Sequence, residues 1–303
     1  MNELAMDAME FALSPLVKLI SRGRKAELYA PPAAPDLPAA LDRLAQEITV
    51  MSFNVLCSVD GTYGCRRRFN GVLRTLRGEM PDSFGLQEAH ELWRWPLARA
   101  LKGEYGVACN KGRLFGAHEG TPIFYRRDKY DLVREGVFWL SERPGIASIG
   151  WDASCPRIAA WAVLLDRRTG FAYAHFNTHF DHKGSIAMAN SARMMADRIN
   201  ALGLPAVLTG DLNDQPGSLP MEYLAAGGLK DLRTSAAETD NGNTFHSYGG
   251  EGKIIDYIYA NHYLRGAALY KVIRDEYDGM YPSDHFAVAA TFTLANSRLL
   301  SKI

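Results

Sequence analysis

Val207-Leu208-Thr209-Gly210-Asp211-Leu212-Asn213 opens as an apolar run and closes on a carboxylate and a carboxamide. The run reads as a buried strand, and an ionised carboxylate at the end of a buried strand is costly unless it is paired or holds a cation. Five further stretches share the form: Val50-Met51-Ser52-Phe53-Asn54, Phe84-Gly85-Leu86-Gln87-Glu88, His175-Phe176-Asn177-Thr178-His179, Ile254-Ile255-Asp256-Tyr257 and Tyr281-Pro282-Ser283-Asp284-His285. Six polar strand ends pose one electrostatic problem. A single shared site would answer all of them.

Working outward, short apolar runs rich in β-branched and aromatic residues predict strands at Ile48 to Leu56, Ser83 to Leu86, Pro122 to Arg126, Leu132 to Leu140, Ile158 to Leu165, Phe171 to Asn177, Ala206 to Thr209, Ile254 to Tyr259, Leu269 to Ile273 and Phe286 to Phe292. Amphipathic stretches predict helices at Arg67 to Arg77, Glu91 to Leu101, Ser185 to Leu202 and Leu219 to Ala226. These are too many strands for one simple βαβ sheet. Two sheets packed face to face with helices outside bury every apolar face, so the expected class is α/β.

The first 46 residues read differently. Met9, Ala12, Leu13, Leu16, Val17 and Ile20 share a helical face, with Ser14 and Pro15 as a helix start and Gly23 as a stop. Four prolines between Ala30 and Pro38 read as a stiff linker, and Ala39 to Gln46 as another short helix. The expected division is therefore a helical extension over 1–46 and a main domain over 47–303, which carries all six polar strand ends. Lys18, Arg22, Arg24 and Lys25 edge the apolar face, which allows peripheral membrane contact, although packing on the main domain is the commoner use of such a stripe.

In 303 residues, 34 Lys and Arg balance 34 Asp and Glu, and near neutrality persists when 1–46 are set aside. Duplex-binding nucleases draw affinity from a basic excess, so the balance favours a small phosphorylated or lipid-like substrate over nucleic acid. Cys57, Cys65, Cys109 and Cys155 form no C-x-x-C pair, which argues against cysteine-bound zinc and for reduced thiols in a cytoplasmic setting. No stretch approaches the ~20 uninterrupted apolar residues that a spanning helix needs. The acidic Glu3, Asp7 and Glu10 do not suit a secretory leader.

If the strand ends converge, they supply the carboxylates Glu88, Asp211, Asp256 and Asp284, the amides Asn54 and Asn213, and the imidazoles His179 and His285. Oxygen-rich donors with few nitrogens suit a hard cation, magnesium first and manganese or calcium next. Such an ion with amides and two histidines can neutralise phosphoester oxygens, orient water and move a proton, which points to phosphoester hydrolysis. Taken singly, each residue has a plain structural reading: Asp211 with Asn213 an Asx-turn, Asp284-His285 a loop ion pair, His179 a core histidine. Beyond the set, Arg157 reads either as a phosphate clamp or as a structural ion pair. Asp181 and His182 follow His179 closely enough to border the site and touch substrate. Arg66, Arg67 and Arg68 read as a solvated helix face, and Trp139, Trp151 and Trp161 as core aromatics.

The ordered set resembles the endonuclease/exonuclease/phosphatase superfamily, through Ser52-Phe53-Asn54, Leu86-Gln87-Glu88, Asn177-Thr178-His179, Gly210-Asp211-Leu212-Asn213, Ile255-Asp256-Tyr257 and Ser283-Asp284-His285. The resemblance implies a four-layer α/β/β/α sandwich of two mixed sheets, and magnesium-dependent hydrolysis of phosphoesters. It implies that Glu88 is the principal metal ligand, with Asn54 beside it and Asp284 close to the metal. It implies that Asp211 orients or deprotonates the attacking water, Asn213 holds a phosphate oxygen, Asp256 orients His285, and His179 contacts the phosphate and assists the leaving oxygen. A phosphorylated small molecule, a lipid head group or nucleic acid all remain open as partners, because this fold hosts many substrates. A nuclease and a non-catalytic binding protein are the alternatives.

Overall fold

Along β1 (Ala45–Asn54), the period-two alternation of a strand sends Ile48, Val50, Ser52 and Asn54 to one face and Met51 and Phe53 to the other. The first face meets a second sheet and the other meets helices. The computed structural model that shows this describes residues 45–109 and 120–295. The strands that follow are β2 (Ser83–Gln87), β3 (Tyr105–Ala108), β4 (Ile123–Arg126), β5 (Tyr130–Trp139), β6 (Ile158–Asp166), β7 (Ala172–His179), β8 (Ala206–Asp211), β9 (Lys230–Asp231), β10 (Ala236–Thr239), β11 (Asp256–Ala260), β12 (Leu264–Ile273) and β13 (Ala287–Ala295). The helices are α1 (Cys65–Glu79), α2 (Glu91–Ala100), α3 (Ser185–Ala201), α4 (Leu219–Ala226) and α5 (Leu232–Ser235).

One sheet has the order β10-β12-β13-β1-β2-β4-β3 and the other β5-β6-β7-β8-β11-β9. Both are mixed. Their central pairs, β1 with β2 and β7 with β8, are parallel, and a parallel pair requires a crossover. The chain places α1 in one crossover and α3 in the other, which puts helices on the two outer faces. Three apolar clusters fill the layers. Val72, Leu76, Trp93 and Leu97 pack on Met51, Phe53, Phe84 and Leu86. On the opposite side Met195, Ile199 and Leu224 pack on Phe176, Leu208 and Tyr257. Between the sheets lie Ile48, Val50, Tyr173, Val207, Ile258 and Val288. The four-layer sandwich is as expected.

The inter-sheet layer turns polar toward one end. Reading inward positions along the strands, β1 runs Val50, Ser52, Asn54; β2 runs Ser83, Gly85, Gln87; β7 runs Tyr173, His175, Asn177, His179; β8 runs Val207, Thr209, Asp211. Here the sheets are joined by side-chain hydrogen bonds. Gln87 Nε2 donates to Asn177 Oδ1 at 2.7 Å and to Ser52 Oγ at 3.1 Å, and Asn177 Nδ2 donates to the Leu86 carbonyl at 2.8 Å. His175, fully buried, bonds Ser83 Oγ and Thr209 Oγ1, both at 2.8 Å. A Cβ on Gly85 would lie 2.3 Å from the Asn177 side chain and 2.4 Å from Thr209 Oγ1, so only glycine lets the sheets close at this level.

The other differences from expectation have local causes. β3, β9, β10 and α5 are two to four residues long and show no periodicity to read. β12 begins at Leu264, ahead of the expected Leu269, because register shifts at Leu264/Gly266 and Ala267/Leu269 break its alternation. Ala45 and Gln46 belong to β1, where a helix was expected, and Gln46 Nε2 donates to Asp166 Oδ2 at 2.6 Å across the sandwich. The remainder of that helix, the proline-rich linker and the first amphipathic helix lie outside the described residues. Trp139 and Trp161 are core residues, but Trp151 is half-buried and lines a surface cavity with Arg193, Met194 and Arg198.

The arginine run is also corrected. Arg66 and Arg67 are solvated, whereas Arg68 is 1% exposed, on the inner face of α1 with Val72 and Leu76. Its guanidinium donates to the carbonyls of Tyr63 (2.5 Å), Val55 (2.6 Å), Leu56 (2.7 Å) and Pro282 (2.8 Å), and lies over Trp93. It thus ties the chain leaving β1 to the chain arriving at Asp284.

Two stability predictions follow from these buried groups. Burial pushes the His175 imidazole from 6.5 down to about 3, so between those values the unfolded chain takes up a proton that the folded chain refuses. Its contribution is complete above about pH 6.5 and is lost as pH falls toward 3, by about 1.4 kcal/mol per pH unit. In urea unfolding from pH 7 to pH 4, His175→Gln is expected to show a shallower dependence by about one proton; an unchanged slope would refute the assignment. Arg68→Met leaves four carbonyls without their donor and is expected to lose ~3 kcal/mol or more, read at the urea midpoint. A loss below ~1 kcal/mol would mean that water replaces the guanidinium.

Candidate active site

The polar end of the inter-sheet layer is where the chemistry gathers. β-Sheet register places His179 opposite Asp211 and Asp211 opposite Asp256 across β7, β8 and β11. Asn54 sits beside Gln87 at the ends of β1 and β2, so Glu88 follows directly. Glu88 and Asn213 take left-handed backbone conformations at φ 56° and 54°. Asparagine adopts this conformation readily, whereas a glutamate held there is strained.

Asp211 Oδ2 is the hub. It accepts from Asn54 Nδ2 at 2.9 Å and lies 3.4 Å from His179 Nε2 and 3.7 Å from His285 Nε2. Its other oxygen accepts from the Asn213 backbone N–H at 3.0 Å, the Asx-turn that the sequence allows. Asn54 Nδ2 gives its second hydrogen to Glu88 Oε1 at 2.9 Å, bridging two carboxylates, while Glu88 Oε2 accepts from the Cys57 N–H at 2.7 Å. Asn213 Nδ2 lies 3.0 Å from both His179 Nε2 and the Phe180 carbonyl. The carboxamides therefore hold the carboxylates and one imidazole in a fixed pattern.

His285 is governed by Asp256, whose Oδ2 is 2.8 Å from Nδ1. Burial works against charge on the ring, but Asp256, Asp211 and Asp284 outweigh it and hold the imidazole well above its ordinary pKa. The ring's other nitrogen is aimed at Asp211. Asp284 accepts from the Ser283 hydroxyl at 3.2 Å. Burial pushes its carboxyl up to about 6 despite the pull of His285, and the neighbouring Glu88 charge adds to the rise.

This donor set fits a hard divalent ion. Glu88 and Asp284 are carboxylate oxygen donors, and a dication would relieve the Glu88 charge that adds to the rise of Asp284. The expected third donor, Asn54, turns its amide hydrogens to Glu88 and Asp211 and its oxygen to the Leu56 N–H at 3.0 Å. Ligand atoms of Asp211, Asp256 and His285 also lie within 4.8 Å of one another. That trio is better suited to moving protons, because Asp256 Oδ2 is already committed to His285 Nδ1.

Arg157 directly precedes β6 beside the end of β7, with Nη1 3.0 Å from His179 Nδ1 and Nη2 3.4 Å from His182 Nδ1. Asp181 lies next to the site but turns away from it. Its Oδ1 accepts from Ser154 N (3.0 Å) and Ser154 Oγ (2.8 Å), and its Oδ2 from Lys183 N (3.0 Å) and Gly184 N (2.6 Å). Burial alone would raise its carboxyl; these bonds and the Arg157 charge hold it far below the usual range. The expected substrate contact is thus replaced by a pin between two loops. Cys155, Asp181 and His182 have metal-ligand spacing, but the filled oxygens of Asp181 argue against an ion there.

Sequence reasoning missed Arg68, although the signal was present: Arg68, Val72, Thr75 and Leu76 follow helical spacing on one face. It also read Ser83, His175 and Thr209 only as strand residues. Their joining of the two sheets required knowing which strands face each other.

Comparison with known proteins agrees with this geometry. The endonuclease/exonuclease/phosphatase family model matches residues 51–285. A Bacteroides thetaiotaomicron protein of that family is 29% identical, with 83% of this chain and 96% of that chain covered and a TM-score of 0.76. A mannosyl-6-phosphatase from the same organism is 30% identical over 81% of this chain and 99% of its own, with a TM-score of 0.74. The Xenopus laevis CCR4-NOT transcription complex subunit 6-like-B is 25% identical over 263 residues, 68% of this chain. The chain spans about half the length of that curated relative, 48%. No helix among the described residues is long and apolar enough to cross a membrane. By the matched span, the shared sandwich and the order of its polar strand ends, the chain belongs to the endonuclease/exonuclease/phosphatase family, whose members are hydrolases acting on phosphoester bonds.

Proposed function

We propose that this chain hydrolyses a small phosphorylated substrate with the help of magnesium, and that the substrate is a phosphomonoester of the sugar-phosphate kind. The observation that carries the reading is the convergence of Asn54, His179 and His285 on one oxygen of Asp211. A water against that oxygen is oriented by it and can pass it a proton. The His285 imidazolium, fixed by Asp256, is placed to stabilise charge building on a phosphoryl oxygen. Asn213 and His179 offer N–H groups to the same phosphoryl group. Glu88 and Asp284 would hold the ion, with Asn54 fixing the Glu88 and Asp211 carboxylates beside it; the ion supplies charge neutralisation to the phosphoryl oxygens when bound.

The substrate class is supported by the mannosyl-6-phosphatase relative, covered over nearly its whole length. The balanced charge, 34 basic against 34 acidic residues, counts against a long nucleic-acid track. A binding protein without catalysis has no use for Asp211 and the Asp256–His285 pair together.

Phosphate release from hexose 6-phosphates is expected in magnesium and not in chelator, and to exceed turnover of oligonucleotides and bis-esters in the same panel. Asp211→Asn and His285→Ala are each expected to lower the rate ~100-fold or more with the fold intact by circular dichroism. Glu88→Ala is expected to lose magnesium dependence and to keep or slightly gain metal-free thermal stability, since one of several clustered negative charges is gone. Wild-type turnover in the Asp211 or His285 variant would remove the mechanism, and preference for oligonucleotides would remove the substrate class.

A further inference from the structure

We propose that Arg157 is a positioning residue that sets the proton of His179, leaving Nδ1 bare and placing the ring hydrogen on Nε2, where it faces Asp211 and the reacting phosphoryl group. The two site histidines flank the same Asp211 oxygen, His179 at 3.4 Å and His285 at 3.7 Å. What stands behind each ring differs. Behind His285 is the Asp256 carboxylate, an acceptor, 2.8 Å from Nδ1. Behind His179 is the Arg157 guanidinium, 3.0 Å from Nδ1.

A guanidinium has five N–H donors and no acceptor, so it bonds an imidazole nitrogen only when that nitrogen carries a lone pair. His179 Nδ1 is therefore unprotonated, and the single hydrogen of the neutral ring sits on Nε2. Asn213 Nδ2 lies 3.0 Å from that Nε2. Donation by it would need a lone pair on Nε2 and a hydrogen on Nδ1 against a group that can only donate. The Phe180 carbonyl holds that Asn213 nitrogen as a donor, so its contact with Nε2 is no hydrogen bond; the Nε2 hydrogen faces the Asp211 carboxylate at 3.4 Å, and the Arg157 donor at Nδ1 together with this acceptor decides the tautomer.

Arg157 is itself well fixed. It is 7% exposed, its carbonyl accepts from Leu140 N at 2.8 Å, and the preceding loop is pinned to the chain after β7 by the Asp181 bonds to Ser154. Its Nη2 meets His182 Nδ1 at 3.4 Å, extending the same arrangement to a second ring. The consequence rests on the hydrolytic reading above. His179 gives a phosphoryl oxygen a neutral N–H bond and keeps its hydrogen, so the leaving oxygen takes its proton from the His285 side or from water.

The test reads the tautomer without needing activity. In a two-bond 1H–15N spectrum of the full chain at pH 7, with His179 assigned by its loss in His179→Asn, Nδ1 is expected in the unprotonated shift range and Nε2 in the protonated range. Arg157→Lys, which keeps a donor, is expected to retain the pattern. Arg157→Met is expected to move both nitrogens toward the averaged positions of mixed tautomers, with the backbone fingerprint reporting its fold. If that variant does not fold, the wild-type and Arg157→Lys spectra decide. A hydrogen on Nδ1 in the wild type, or an unchanged His179 pattern in folded Arg157→Met, overturns the proposal whatever the substrate proves to be. Where turnover is measurable, Arg157→Met with His179→Ala is expected to be no slower than His179→Ala alone. Multiplying losses would instead mean that Arg157 binds the phosphate itself.

Discussion

The seam between the two sheets governs this molecule. Inward-facing residues are apolar along most of the strands and become polar over their last two or three positions. Buried polar groups are tolerated only when satisfied, and in a low-dielectric layer satisfied bonds are strong. Gln87–Asn177 and Ser83–His175 bonds cross between the sheets, and Thr209 links His175 and Asn177 within one of them. The network fixes the spacing and register of β1, β2, β7 and β8, and Gly85 makes room for it. Since those four strands carry Asn54, Glu88, His179 and Asp211 at or just past their ends, the network also sets the site geometry.

A second theme is the use of groups behind the reacting ones. Asp211 is flanked by two imidazoles of the same intrinsic chemistry, and the structure makes them unlike by backing one with a carboxylate and the other with a guanidinium. Arg68 and Asp181 act a step further back. Arg68 gives four hydrogen bonds to loop carbonyls and Asp181 accepts from loop N–H groups and the Ser154 hydroxyl, so that Asp284 and Arg157 arrive at fixed places. Loops held in this way keep the side chains they carry in place without any ligand to order them.

Much of the site was legible from residue type and order, because the physical rule involved is local. An apolar run that ends in Asp, Glu, Asn or His is anomalous wherever it occurs, and six such anomalies in one chain point to a shared cause. Asn54, Glu88, Asp211, Asn213, Asp256 and His285 are brought together, and His179 with them. Asp181 was misread because nearness in sequence to His179 says nothing about which way a carboxylate turns. Its backbone donors come partly from Ser154, twenty-seven residues earlier. Arg68 was misread because its neighbours Arg66 and Arg67 are solvated, and the run was taken as a unit when helical spacing separates its third member.

What the sequence determined alone is the set of elements with period-two or helical patterning and the chemical kinds of residue at their ends, since both follow from short-range sterics and from the cost of burying polar groups. Tertiary structure decided which strand ends meet, which oxygen of Asp211 becomes the hub, and which side chain stands behind each histidine. Those depend on contacts between residues far apart in the chain, Asn54 with Asp211 and Ser83 with His175 among them. A donor or acceptor acquires its role only from the partner that folding brings to it.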